Sequence, residues 1–143
     1  VKEVLKYDKC FVCGDQNPNG LKAKFFARDD GSVISEIVAD YRFQGYKDII
    51  HGGVVFSMLD EVMVKAVLAR GIFALTAEMK IKFRLPVKVG DKIVFTGTVT
   101  STSHHLYRTI GEAVNQRGEV VATANATYLE AKGDLHDLLQ QSS

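Results

Sequence analysis

The spacing of hydrophobic and polar residues changes period along the chain, and each change marks an element. From Thr76 to Leu85 the alternation is strict, with Ala77, Met79, Ile81, Phe83 and Leu85 set against Thr76, Glu78, Lys80, Lys82 and Arg84. A period of two is that of a strand with one face in a core and the other in water, so the first set is expected to be buried. Between about Gly53 and Arg70 the spacing is helical and apolar over most of the circumference, with Gly71 a natural residue to end the helix. At 100° per residue, Ser57, Asp60, Glu61 and Lys65 share an arc of roughly 140° that is left for solvent or a partner subunit. Leu21 to Ala27 and Val33 to Ala39 flank the turn Asp29-Asp30-Gly31-Ser32 and predict a hairpin. Tyr41 to Ile50, containing Gly45, is an irregular connection.

After a turn at Pro86 to Asp91, strands are expected at about Lys92–Ser101, Leu106–Asn115 and Glu119–Glu130, joined as a meander. One long helix among five or six strands predicts an α+β domain in which a curved antiparallel sheet wraps the helix. Only strong curvature lets every strand bury a face against a single helix, and wrapping explains why that helix is apolar nearly all round. Residues 1–143 form one expected domain, with a lead-in loop over 1–20 and a tail over 131–143 that is a short helix or a frayed end.

Composition narrows the function. With 143 residues, 46% of them hydrophobic, the chain can bury a core unaided. Eighteen basic residues against 17 acidic ones create no field that would draw it to nucleic acid or an anionic membrane. No apolar run approaches the roughly 18 residues of a membrane span, and Val1 to Lys6 lacks the apolar stretch expected of a signal peptide. A cytoplasmic protein is the expectation.

The two cysteines, Cys10 and Cys13, fit half of a zinc site. No second pair exists, so His51, His104, His105 or His136 would have to complete four ligands from a distance. A redox pair would usually open a helix, whereas Asp15 to Gly20 are turn formers. Two reduced thiols in a loop, and no metal, are expected. His104 and His105, adjacent at a strand end, point to opposite faces and belong to a surface turn.

The richest chemistry lies in His51-Gly52-Gly53 with Asp60 nine residues after the histidine. The glycines open a helix whose first amides are unpaired and whose dipole is positive there, a setting for a developing oxyanion. Asp60 follows in an otherwise apolar stretch. The alternatives are a tight entry to the helix for the glycines and a solvated carboxylate for Asp60, with Glu61 pairing to Lys65.

Three segments together resemble the hotdog-fold acyl-CoA thioesterases, particularly the phenylacetate-pathway and 4-hydroxybenzoyl-CoA branch. They are Cys10-Phe11-Val12-Cys13-Gly14 through Asn17-Pro18-Asn19-Gly20-Leu21, then His51-Gly52-Gly53 with Asp60, then Met79 through Pro86 to Gly90-Asp91. The resemblance implies a homodimer or homotetramer with sites at subunit interfaces, and hydrolysis of an acyl-CoA or acyl-carrier-protein thioester without a cofactor. It implies that the Gly52 amide polarises the carbonyl, and that Asp60 from the other subunit acts as base or nucleophile. It also implies that Thr76 helps hold the attacking water, although strand parity puts Thr76 opposite Met79 and Ile81, and that His51 shapes the turn. Gly53, Gly45 and Ser57 are assigned to substrate binding. Gln44 stands beside the position where members of the branch often carry Asn, and Arg84 and Lys88 are candidates for the CoA phosphates. A non-catalytic acyl-ligand sensor of the same fold is the alternative, and a dehydratase ranks third because His51 and Asp60 do not form an evident acid–base pair.

Overall fold

The computed structural model describes residues 1–141. Chain order is β1 (Lys2–Glu3), β2 (Phe26–Ala27), β3 (Val33–Val38), a 3₁₀ turn (Tyr41–Phe43), α1 (Gly52–Leu68), β4 (Ala74–Phe83), β5 (Lys92–Ser103), β6 (Leu106–Asn115), β7 (Val120–Glu130) and α2 (Gly133–Gln141). The strands form one antiparallel sheet in the order β1-β2-β3-β5-β6-β7-β4. The expected hairpin is β2–β3 and the expected meander is β5–β6–β7. The turn at His104 and His105 has both residues at positive φ, 48° and 66°, the geometry of a two-residue hairpin loop.

The sheet packs on α1 through residues whose spacing matches both partners. Met58, Leu59, Val62, Met63 and Val67 have no more than 1% exposure, as do Ile93, Phe95, Ala113 and Val121 facing them. At Gly97 a Cβ would collide with the Val62 carbonyl, so a glycine is what lets the helix backbone lie on β5.

Three expectations need correction. The apolar set from Ala77 to Leu85 is buried only in part: Met79 and Ile81 are half-buried and pack on the core, whereas Ala77, Phe83 (54%) and Leu85 (40%) are exposed. The reason is position, because β4 is the last strand of the sheet and pairs with β7 alone. Leu21 to Ala27 is a strand only at its end. Its start bonds to the lead-in instead, with the Leu21 and Ala23 amides donating to the Phe11 and Val12 carbonyls. The lead-in also covers part of the arc of α1 that was expected to meet solvent or a partner. Lys65 is 1% exposed beneath it. The tail forms α2, and residues 142–143 lie outside the described residues. Among those described, no helix is long and apolar enough to cross a membrane.

Candidate active site

Helix α1 begins on a side-chain cap. His51 precedes it with φ −57° and ψ 132°, and its Nδ1 accepts from the Gly53 amide at 2.8 Å. An acceptor at Nδ1 puts the proton of the neutral ring on Nε2 and commits His51 to holding the turn. The His51 carbonyl takes the Val54 amide at 2.9 Å. Gly53 and Val54 are therefore spoken for, and the Gly52 amide is left without an acceptor among the described residues. Gly52 is exposed and opens on a cleft of about 760 Å³ walled by Tyr46, His51, Val55, Phe83, Arg84 and Pro86, among others. Gly45 lines the same cleft, and a Cβ there would press on His51 at 3.2 Å.

Asp60 is oriented by two hydroxyls. Thr76 Oγ1 donates to its Oδ1 at 2.9 Å, and the Tyr128 hydroxyl lies 2.8 Å from Oδ1 and 3.0 Å from the Asp60 carbonyl. Burial, and then the charge of Asp60, push the Tyr128 phenol above its ordinary range, so it stays a donor. One carboxylate oxygen is pinned and Oδ2 is left over.

Simple parity turned Thr76 away from this site, yet it is here. A β-bulge between Thr76 and Glu78 inserts one residue, so Thr76 pairs with Tyr128 while Glu78 pairs with Thr127. The extra residue reverses which face Thr76 presents. Tyr128 has no local signal. It continues the inward set of β7 with Ala122, Ala124 and Ala126, and reads as core.

The remaining candidates scatter. Ser57 Oγ donates to the Gly53 carbonyl within its own helix at 2.8 Å. Gln44 Oε1 accepts from the Asp48 amide at 3.1 Å and so braces the loop. Arg84 lines the cleft, whereas Lys88 is exposed and is not part of that wall. Arg84 also lines a second groove of about 660 Å³ on the outer sheet face, with Arg28, Lys80, Lys82 and one carboxylate, Glu112. Arg28 escaped the sequence reading because the fold alone brings β2 there.

The architecture of an antiparallel sheet wrapped on the long helix α1 is the hotdog fold. The chain belongs to the thioesterase superfamily, whose sequence model matches residues 47–122, just over half of its length. Human acyl-coenzyme A thioesterase 13 is 27% identical over 100 residues, 68% of this chain and 71% of that protein. Among solved structures, a thioesterase superfamily protein superposes with a TM-score of 0.81 at 23% identity over 85% of this chain, which spans 60% of that longer chain. The E. coli PaaI protein from the phenylacetic acid degradation operon gives 0.74 at 23% identity, covering 79% and 82%. A Streptococcus mutans protein bound to acetyl-CoA gives 0.72 at 21%, covering 76% and 88%. At these identities the structural likenesses show the fold.

Proposed function

We propose that the protein hydrolyses acyl-CoA thioesters at a site formed between two copies of the chain. The observation that carries this reading is the pairing, on one helix, of an uncommitted Gly52 amide facing a cleft with an Asp60 carboxylate oriented by two hydroxyls. The amide stabilises the oxyanion that forms as the thioester carbonyl is attacked. Asp60 Oδ2 either takes a proton from the attacking water or attacks the carbonyl itself, and hydrolysis in ¹⁸O-labelled water separates the two. Only the covalent route leaves label in the Asp60 carboxylate.

The two groups do not serve one carbonyl within a chain. Eight residues of helix separate them by about 12 Å along the axis. Strand β4 supplies the means of bringing in a second copy, since it ends the sheet, exposes Leu75 and Phe83, and has one edge unpaired by the chain's own strands. A CoA moiety is supported by Arg84, which stands in both the cleft and the neighbouring basic groove, and by the acetyl-CoA bound to the Streptococcus mutans protein of the same fold.

The test is thiol release from a panel of short-chain, long-chain and aromatic acyl-CoAs. Asp60→Asn is expected to lose activity by about 10²–10⁴-fold, the range for removing a positioned acid–base group. Gly52→Pro removes the single amide and suits the first helical position, because the preceding His51 is already extended. Each variant alone should be inactive, and refolding the two together should restore activity through mixed pairs that hold one intact site. No restoration sinks the shared-site arrangement. Acyl-CoA binding without turnover in the wild type sinks hydrolysis and leaves a ligand sensor.

A further inference from the structure

On the lead-in side of α1, away from Asp60, a second group of reactive side chains converges. The Cys10 and Cys13 sulfurs and a Glu61 carboxylate oxygen all lie within 4.8 Å of one another. Cys10 and Cys13 sit on a tight turn closed by Gly14, where a Cβ would lie 2.5 Å from the Cys10 amide nitrogen. That turn aims the Val12 and Cys13 amides at Cys10 Sγ, at 3.3 and 3.4 Å. Lys65 enters from beneath, with Nζ 3.5 Å from Cys13 Sγ and 3.6 Å from Glu61 Oε2, donating to the Leu5 carbonyl and lying over the Tyr7 and Phe25 rings.

We propose that Cys10 and Cys13 form a hydroperoxide-reducing dithiol site, with Cys10 as the attacking thiolate and Cys13 as the thiol that resolves it to a disulfide. Cys10 is half-buried, and it opens on an apolar hollow of about 280 Å³ walled by Val64, Leu68, Ile72, Phe73 and Leu139, with Lys65 and Glu61 at its floor. The Cys13 thiol donating to it, the two backbone amides and the Lys65 charge bring Cys10 down from 9.0 to about 5. The bond to Cys10 and burial push Cys13 the other way, so the pair is one thiolate and one thiol. Burial, and then the Cys10 charge, raise Glu61 from 4.5 to about 7, where it can accept a proton at neutral pH.

The chemistry balances. The Cys10 thiolate attacks the distal peroxide oxygen and the O–O bond breaks. Sulfur loses two electrons to become sulfenic acid, and the alkoxide leaves and takes from water the proton that Cys10 released to solvent on ionising, giving the alcohol. Cys13 then gives its proton to Glu61 and attacks the Cys10 sulfur, and the S–O bond breaks. The departing hydroxide leaves as water after taking that proton. Two thiols and one hydroperoxide become one disulfide, one alcohol and one water. A divalent metal fits the cluster less well, because the Lys65 ammonium occupies the cation's place and no fourth cysteine or histidine ligand joins the three groups among the described residues.

The experiment exposes the reduced full chain to hydrogen peroxide and, separately, to cumene hydroperoxide, following thiol count and intact mass. Both thiols should disappear together as one peroxide is consumed, with the mass falling by two hydrogens. Cys13→Ser should stop at a Cys10 sulfenic acid trapped by dimedone, and Cys10→Ser should react no faster than free glutathione. Faster loss with cumene hydroperoxide assigns the apolar hollow to an organic substrate, and faster loss with hydrogen peroxide assigns the site to the small oxidant. Alkylation of wild-type Cys10 by iodoacetamide should stay nearly level from pH 8.5 to 6, where an ordinary thiol slows by about 100-fold. Wild-type thiols that react no faster than glutathione overturn the proposal, as does one tightly held zinc per chain that shields both.

Discussion

Asp60 and Glu61 are consecutive carboxylates on one helix, and the fold gives them opposite surroundings. Asp60 turns toward β4 and β7 and meets two hydroxyl donors, which hold one carboxylate oxygen and leave the other available. Glu61 turns toward the lead-in, has a side chain 16% exposed, and finds the Lys65 ammonium and the Cys10 thiolate. The two hydroxyls fix the orientation of the Asp60 carboxylate. Burial beside another anion makes its neighbour protonatable near neutrality. Which chemistry a helix carboxylate performs is therefore decided by the groups facing it across the interface, and a step of 100° along the helix is enough to exchange one set for another.

The sharpest break of this comparison is in activity. Asp60→Asn should abolish most thioester hydrolysis, as described above, while Glu61→Gln should leave kcat and KM little changed. Comparable losses in both would merge the two regions into one site.

Removing the cation from the Glu61 side comes next. Lys65→Met leaves the Leu5 carbonyl, Glu61 and the Cys10 thiolate without their buried partner, and should cost about 3 kcal/mol in a urea titration. A change in midpoint too small to resolve would show that this charge is dispensable to the fold.

The titration of Glu61 should also be visible in stability. Its proton is held more tightly folded than unfolded, so its favourable contribution is complete below pH 4.5 and is lost as pH rises through about 7. Relative to Glu61→Gln, the wild type should lose about 3 kcal/mol between pH 4 and 8, at about 1.4 kcal/mol per pH unit of displacement. Cys10, present in both proteins, titrates in the opposite sense, which is why the difference between the two is the quantity to read.

On the Asp60 side, Tyr128→Phe should lower kcat by about tenfold with KM unchanged, the equivalent of one hydrogen bond of about 1.4 kcal/mol. The smallest effect is expected at the bulge. Thr76→Ala should reduce kcat by about threefold and Thr76→Ser should restore it, since the hydroxyl rather than the methyl group faces Asp60. A failure of serine to restore activity would assign the loss to the bulge itself.

Much of the frame was legible from local pattern. Helix α1, the β2–β3 hairpin and the β5–β6–β7 meander follow from periodicities and turn residues that act over a few positions, whereas the turn-shaping role of His51 came from the family resemblance. The sequence reading went astray where the deciding partner was remote. Tyr128 is 68 residues from Asp60, and nothing in the alternation of β7 separates it from the alanines around it. Lys65 was placed on an open arc because the segment that covers it lies 60 residues earlier, at Leu5.

The order of residues alone therefore settled which segments are helix and strand, where the helix begins, and that an amide and a carboxylate stand two turns apart on it, since these depend on backbone geometry and near neighbours. The tertiary structure decided which of two adjacent carboxylates meets hydroxyls and which meets a thiolate and an ammonium. It also decided which face Thr76 presents after the bulge and that Ala77 and Phe83 of the apolar face of β4 lie open at the sheet edge. Burial, hydrogen-bond geometry and charge pairing act between atoms that only folding brings within a few ångströms, and no spacing along the chain encodes them locally.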